Sequence, residues 1–158
     1  MDTRPTAPFR EEHAHLLEHL DHIRATAREL PRMLPQDRDR AVATVLRFLR
    51  EVLLPHARAE EEVLYPEWVR VVGYPDAAVP MIHDHEAIVA RVEQLAAASP
   101  DDVETIQELL YGLHALIRVH FDKEEEIQLP VFDRQPSEVV AAIIERMGQE
   151  HAGAGHSH

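Results

Sequence analysis

His56-Ala57-Arg58-Ala59-Glu60-Glu61-Glu62-Val63-Leu64-Tyr65-Pro66 and His120-Phe121-Asp122-Lys123-Glu124-Glu125-Glu126-Ile127-Gln128-Leu129-Pro130 are two copies of one pattern. In each, a histidine stands four residues ahead of a run of three glutamates that closes on proline. Residues four apart on a helix project from the same face. Each copy therefore predicts a helix presenting an imidazole beside a carboxylate. A carboxylate within an apolar stripe is costly unless it is paired or bound to a cation. Two packed helices of this kind bring two imidazoles and two carboxylates around one point, which is the donor chemistry of a transition-metal centre in a helical bundle.

Working outward, proline and glycine divide the remaining sequence into helices. Phe9, His13, Leu16, Leu17, Leu20, Ile23, Ala27 and Leu30 form one stripe, predicting a first helix over about Phe9–Leu30. Pro31 and Pro35 bracket the next turn. The second helix is predicted from about Gln36 to Tyr65, with Val45, Leu49, Val52, His56, Glu60 and Val63 inward and a kink at Pro55. The segment 71–75 reads as a loop. A third helix is expected over about Val79–Ala97, with Met81, Ile82, His85, Val89 and Val92 on its stripe. A fourth is expected from a Ser99 cap to about Leu129. A short fifth helix follows Pro136, capped by Ser137 and stopped at Gly148. The expected fold class is all-α: an up-down-up-down antiparallel four-helix bundle over residues 1–135, a short amphipathic helix over 136–148, and a disordered, histidine-containing tail over 149–158.

Composition removes several function classes. The 158 residues suit one domain with a real core. With no cysteine, thiolate metal sites, iron–sulfur clusters and disulfide scaffolds are excluded. Twenty-nine acidic against 16 basic residues give a formal charge of −13, a surface that repels nucleic acid and anionic lipid. No apolar run approaches the roughly 18 residues of a membrane span, and residues 1–10 lack the order of a signal peptide. A cytoplasmic location is the expectation. Ser99 and Ser137 fit no nucleophile elbow, and five glycines form no phosphate loop.

The 12 histidines are the anomaly. Counted from the turn near residue 33, His13 and His56 fall within roughly 5 Å of the same height, at about 1.5 Å rise per residue. His13 also lies at the centre of its stripe. His15, His19 and His22 point aside or fall short and are expected at the surface. His85 faces inward on the third helix, although equal-height counting leaves it about 10 Å from His120. His114 sits beside its stripe and is expected to pack rather than ligate. The candidate metal ligands are thus His13, His56, Glu60, His85, His120 and Glu124. Glu61, Glu62, Glu125 and Glu126 are expected to face solvent, and Tyr65 and Trp68 to pack, Tyr65 close to the site.

The arrangement His13, His56-x-x-x-Glu60, His85, His120-x-x-x-Glu124 resembles the hemerythrin-like, or HHE cation-binding, family over about residues 9–132. The resemblance implies two iron ions joined by an oxo or hydroxo bridge, with Glu60 and Glu124 bridging and the four histidines as terminal ligands. It implies reversible oxygen binding, sensing of oxygen or redox state, or handling of peroxide and nitric oxide. The sequence departs from the oxygen carriers at two places. Met81 stands where they have a histidine four before His85, and Glu124 lies four after His120 where they have an aspartate five after.

Six ligands and a bridge leave about one open position on each of two six-coordinate irons. That pattern points to sensing or reduction of oxygen or peroxide, with weak peroxidase-type turnover, rather than pure storage or transport; the expected partner is oxygen or a related small molecule. The alternatives are a di-iron peroxidase or nitric-oxide and iron-handling enzyme, and a zinc- or manganese-binding helical module without oxygen chemistry. The oligomeric state, monomer or homodimer, stays open.

Overall fold

Residues 1–154 are described by a computed structural model, with the side chains of 153 and 154 left aside. Helix α1 spans Ala7–Glu29 and runs into a 3₁₀ turn, Leu30–Arg32. Helix α2 is one long rod assembled from Pro35–Phe48, Leu49–Leu53, Leu54–Ala59, Glu60–Leu64 and Tyr65–Val72. Helix α3 is Val79–Ala97. Helix α4 joins Val103–Lys123, Glu124–Gln128 and Leu129–Phe132, and helix α5 is Ser137–Ala154. Strands are absent among the described residues. Helix α1 packs on α4 and α2, α3 packs on α4 and α2, and α5 lies against the middle of α2.

Both long rods continue through prolines that the sequence reading takes as a kink or a stop. Leu49–Leu53, Glu60–Leu64 and Glu124–Gln128 are π-helical turns. The amides of Leu54, Tyr65 and Leu129 bond the carbonyls five residues back, Leu49, Glu60 and Glu124. The residue after each is proline: Pro55, Pro66 and Pro130. A proline inside an α-helix clashes with the carbonyl four residues back and leaves it unpaired. The wider turn carries that carbonyl away from the ring, so the helix absorbs the proline. The prolines that close the repeated motif therefore mark a local change of winding.

The winding also moves the buried face. Val52, expected inward, is 43% exposed, and Leu53 is buried in its place, because the first π turn shifts the register by one. Away from any π turn, Ile88 rather than Val89 is buried on the regular helix α3, and on α4 Leu110 is fully enclosed while Leu109 is partly covered.

Other boundaries differ for identifiable reasons. The cap of α4 is Asp102, whose carboxylate accepts from the Thr105 amide at 3.2 Å; Ser99 starts the preceding turn instead. Ser137 is the first residue of α5 rather than its cap, and the Pro136 carbonyl accepts from Val139 and Val140. Helix α5 passes through Gly148 to Ala154, so helix replaces the first part of the expected tail; His156 and His158 lie outside the described residues. The expected loop at 71–75 begins only at Gly73, whose φ of 71° ends α2 in the left-handed conformation that glycine tolerates.

Two apolar clusters fill the interior. One gathers Leu16–Leu30 positions of α1, Val45–Leu53 of α2, Ile88–Leu95 of α3 and Ile106–Phe121 of α4. The other holds Phe9, Val63, Tyr65, Trp68, Met81, Leu129 and Phe132, covered by Val140, Ile143 and Met147 of α5. Along every one of the first four helices, the chain passes from one cluster to the other through the candidate ligands. Thr6 and Arg10 tie the start of α1 to Asp133 beyond α4, through a 2.8 Å hydroxyl bond and a 3.0 Å ion pair.

Candidate metal centre

His13, His56, Glu60, His85, His120 and Glu124 are all buried, none more than 4% exposed. They meet in the polar layer between the two clusters. Glu60 sits at its middle. Its Oε2 lies 3.3 Å from His56 Nε2 and 3.9 Å from His13 Nε2. Its Oε1 lies 3.3 Å from His85 Nε2 and 4.0 Å from His120 Nε2. Glu124 Oε1 is 3.2 Å from His120 Nε2 and 3.8 Å from His13 Nε2. The offset expected between His85 and His120 is absent, since their Nε2 atoms are 3.0 Å apart. Residues 98–102 link α3 to α4 without helical rise, which removes part of the offset that counting gives.

The remaining ring nitrogens fix the tautomers. His13 Nδ1 donates to Glu125 at 2.9 Å, His56 Nδ1 to Glu12 at 3.0 Å, His85 Nδ1 to Glu61 at 3.2 Å, and His120 Nδ1 to Asp84 at 2.9 Å. A carboxylate only accepts, so each Nδ1 holds a proton and each ring turns its Nε2 inward, the nitrogen that a metal would take. The pattern is cyclic. Glu12 of α1 serves the histidine of α2, Glu61 of α2 that of α3, Asp84 of α3 that of α4, and Glu125 of α4 that of α1. Arg10 holds Glu125 at 2.7 Å, and Lys123 holds Asp84.

Four inward Nε2 atoms and two carboxylates converge in one enclosed pocket. His13 Nε2, His56 Nε2 and all four oxygens of Glu60 and Glu124 are enclosed without a hydrogen-bond partner. Such atoms are rare in folded proteins and need a partner. Cations fit them, and the nitrogen–oxygen donor set suits a first-row transition metal. His13, His56 and Glu60 can close on one ion, and Glu60, His85 and His120 on a second.

Without metal, protons stand in. Burial opposes the charge on His56, but Glu60 and Glu12 outweigh it and push its pKa up to about 10. Burial likewise opposes the charge on His120, and Glu124 and Glu60 push it up to about 11. Burial raises Glu60, yet the His56 charge and its other neighbours hold it well below the usual range. Glu124, raised by burial and then by the Glu60 charge, reaches about 7.

A third grouping, Glu12, His56 and His151, lies toward the surface. His56 Nδ1 is already engaged there with Glu12, and His151 Nε2 is 3.7 Å from the same carboxylate. His15, His19, His22 and His83 are exposed, His19 stacking on Phe48 at 4.6 Å, and His114 is half-buried away from the layer. Glu62 and Glu126 face solvent, whereas Glu61 and Glu125 correct the expectation by serving His85 and His13. Glu12 and Asp84 were not anticipated in any role. Each of these four carboxylates is adjacent in sequence to an inward-facing His or Glu, and that adjacency was the available signal. Tyr65 Oη lies 3.2 Å from His85 Nε2 and 3.1 Å from His120 Nε2. His13 stacks on Phe121 with ring centroids 4.4 Å apart.

No helix among the described residues is long and apolar enough to cross a membrane. Nothing among curated proteins or solved structures matches the chain. The sequence profile of the hemerythrin HHE cation-binding domain matches residues 4–132, and again 80–156. With the match covering most of the sequence, the chain belongs to the hemerythrin HHE cation-binding domain family.

Proposed function

We propose that the chain is a non-haem di-iron protein that binds oxygen, or senses oxygen or redox state, at a carboxylate-bridged iron pair. The observation that carries this reading is the orientation of Glu60, one oxygen toward His13 and His56 and the other toward His85 and His120. One ion would need one of those oxygens; two ions need both. His13 and His56 would hold the first iron, His85 and His120 the second, with Glu60 and Glu124 spanning them. We read the bundle as up-down-up-down and antiparallel. The cyclic passing of carboxylates from each helix to the next supports that order, and so does the reversal of the two apolar clusters from helix to helix.

An iron pair, when bound, supplies one-electron redox steps and a coordination position for a small molecule. The chain supplies the surroundings. A narrow cavity with Leu53, Leu54, Ala57, Ile88, Ile117 and Phe121 in its wall opens on His56, Glu60, His85 and His120. Such a wall suits a small uncharged molecule such as oxygen better than a hydrated anion. The carboxylates on the Nδ1 atoms fix ring orientation and raise donor strength at Nε2.

Elemental analysis of protein from iron-replete cells tests the reading, with two irons per chain expected. Near-ultraviolet charge-transfer absorption from the oxo bridge, bleached by dithionite, is expected with it. Zinc or manganese at full occupancy, without that absorption, overturns it.

A further inference from the structure

Tyr65 breaks the equivalence of the two halves of the site. The repeated motifs match His56 with His120, Glu60 with Glu124 and Pro66 with Pro130, but they set Tyr65 against Leu129. The chain has three tyrosines. Tyr74 and Tyr111 are 59% and 41% exposed, whereas Tyr65 is 1% exposed. It begins the helical segment after the π turn Glu60–Leu64. Its ring stacks on His85 with centroids 5.5 Å apart and its hydroxyl lies beside two imidazoles.

We infer that the Tyr65 phenolate is a direct ligand of the metal ion held by His85 and His120. This rests on the di-iron reading above. Tyr65 Oη, His85 Nε2 and His120 Nε2 form a triangle with sides of 3.2, 3.1 and 3.0 Å. Adjacent donors on an octahedral ion with bonds of about 2.1 Å lie about 3.0 Å apart. The triangle has the dimensions of one face of such an octahedron. Glu60 Oε1, at 3.3 Å from His85 Nε2, is placed as a further adjacent donor. Its 4.0 Å separation from His120 Nε2 approaches the spacing of opposite ones.

In the metal-free chain His120 Nε2–H can donate to Oη while Oη–H donates to His85 Nε2, and a bound ion would take the place of both protons. Beside a bound ion, the ion's own charge would favour the phenolate in this enclosed position. On binding, the Oη–metal bond forms as the O–H bond breaks, and the proton leaves with a displaced hydroxide as water. No electron moves.

The consequence is an asymmetric pair. The His85/His120 ion is filled by two imidazoles, two carboxylate oxygens, the bridge and Tyr65. The open position then belongs to the His13/His56 ion, so one position is free where the ligand count from sequence leaves two.

The test uses the full chain loaded with ferric iron. Wild-type protein is expected to show a visible phenolate-to-iron band at longer wavelength than the oxo-bridge absorption. Resonance Raman excitation in that band is expected to enhance tyrosine ring modes, which shift when ring-deuterated tyrosine is incorporated. Tyr65→Phe is expected to lose the band while keeping its iron, and Tyr74→Phe and Tyr111→Phe to retain it. Two irons per chain with no such band, or a band unchanged in Tyr65→Phe, overturns the inference while leaving the di-iron reading standing. Absence of iron from wild-type protein fails that reading instead. If Tyr65→Phe does not fold, the isotope shift in wild-type protein decides.

Discussion

Stripping the metal from this protein is expected to cost it a large part of its stability. The six enclosed atoms His13 Nε2, His56 Nε2 and the oxygens of Glu60 and Glu124 have no hydrogen-bond partner. The imidazole–carboxylate separations of 3.2 to 4.0 Å leave them near one another without good bonding geometry. An unsatisfied buried polar atom costs about 1–3 kcal/mol. In the stripped protein a proton on His56 Nε2 faces Glu60 Oε2 and one on His120 Nε2 faces Glu124 Oε1, which leaves three of the six atoms unrelieved. At the lower bound these cost about 3 kcal/mol, a sizeable share of the total stability of about 5–15 kcal/mol of an ordinary domain. For a chain of this length each kcal/mol moves the melting temperature by about 2–4 °C, so metal removal is expected to lower Tm by about 6–12 °C. The assay is scanning calorimetry on holo and chelator-stripped protein, with metal content measured on both. The double variant Glu60→Gln/Glu124→Gln keeps the shape and removes both charges, and its Tm is expected to be the same with and without metal. Wild-type holo and stripped samples melting within about 3 °C of each other would refute the argument.

Proton linkage gives a second expectation. His56 and His120, with pKa values pushed up to about 10 and about 11, carry protons at pH 7 that metal must displace. Uptake at pH 7 should release at least two protons per chain, with affinity rising with pH; calorimetry in buffers of different ionisation enthalpy counts them, and fewer than one contradicts the assignment. In the metal-free chain these raised values stabilise the fold fully below the ordinary histidine value of 6.5, and that stabilisation is lost as pH climbs through about 10 and 11. A stripped-protein Tm that rises over that range counts against it. Glu125→Gln and Asp84→Asn should each weaken metal binding by about 10–100-fold, read by competition with a chromophoric chelator, and an effect under twofold removes those carboxylates from the site. His151→Ala should leave the metal content at two per chain, and loss of one ion would instead make the Glu12–His56–His151 grouping a working site.

What could be read from the residues alone was the part written as periodicity. His56 and Glu60, and His120 and Glu124, share helix faces because they are four apart, and the apolar stripe of α1 carried His13 inward with Leu16, Leu20 and Ile23. The π turns could not be read that way, because a fixed rotation per residue has no place for an extra one. That is why Val52 was set inward and Pro66 was taken as a stop. Glu12, Glu61, Asp84 and Glu125 carry one signal, adjacency to an inward His or Glu, and it does not name their partners. A half-exposed carboxylate in a charged run looks the same whether it meets water or a neighbouring helix's Nδ1, and the partner in each case lies on another helix. The cap at Asp102 was misplaced onto Ser99 because both residue types accept from helix amides, and the turn between them decides which one does.

In chain order α1–α2 and α3–α4 carry matching residues, His13 with His85, Glu12 with Asp84, and Glu61 with Glu125. Tyr65 is the point where this internal twofold relation fails, since Leu129 holds the corresponding place. With Tyr65 as the inferred ligand, the two halves would offer their ions different donors, one of them a phenol oxygen. Sequential loading with two different elements, the more oxygen-loving one beside Tyr65, would then give a mixed-metal form of the protein.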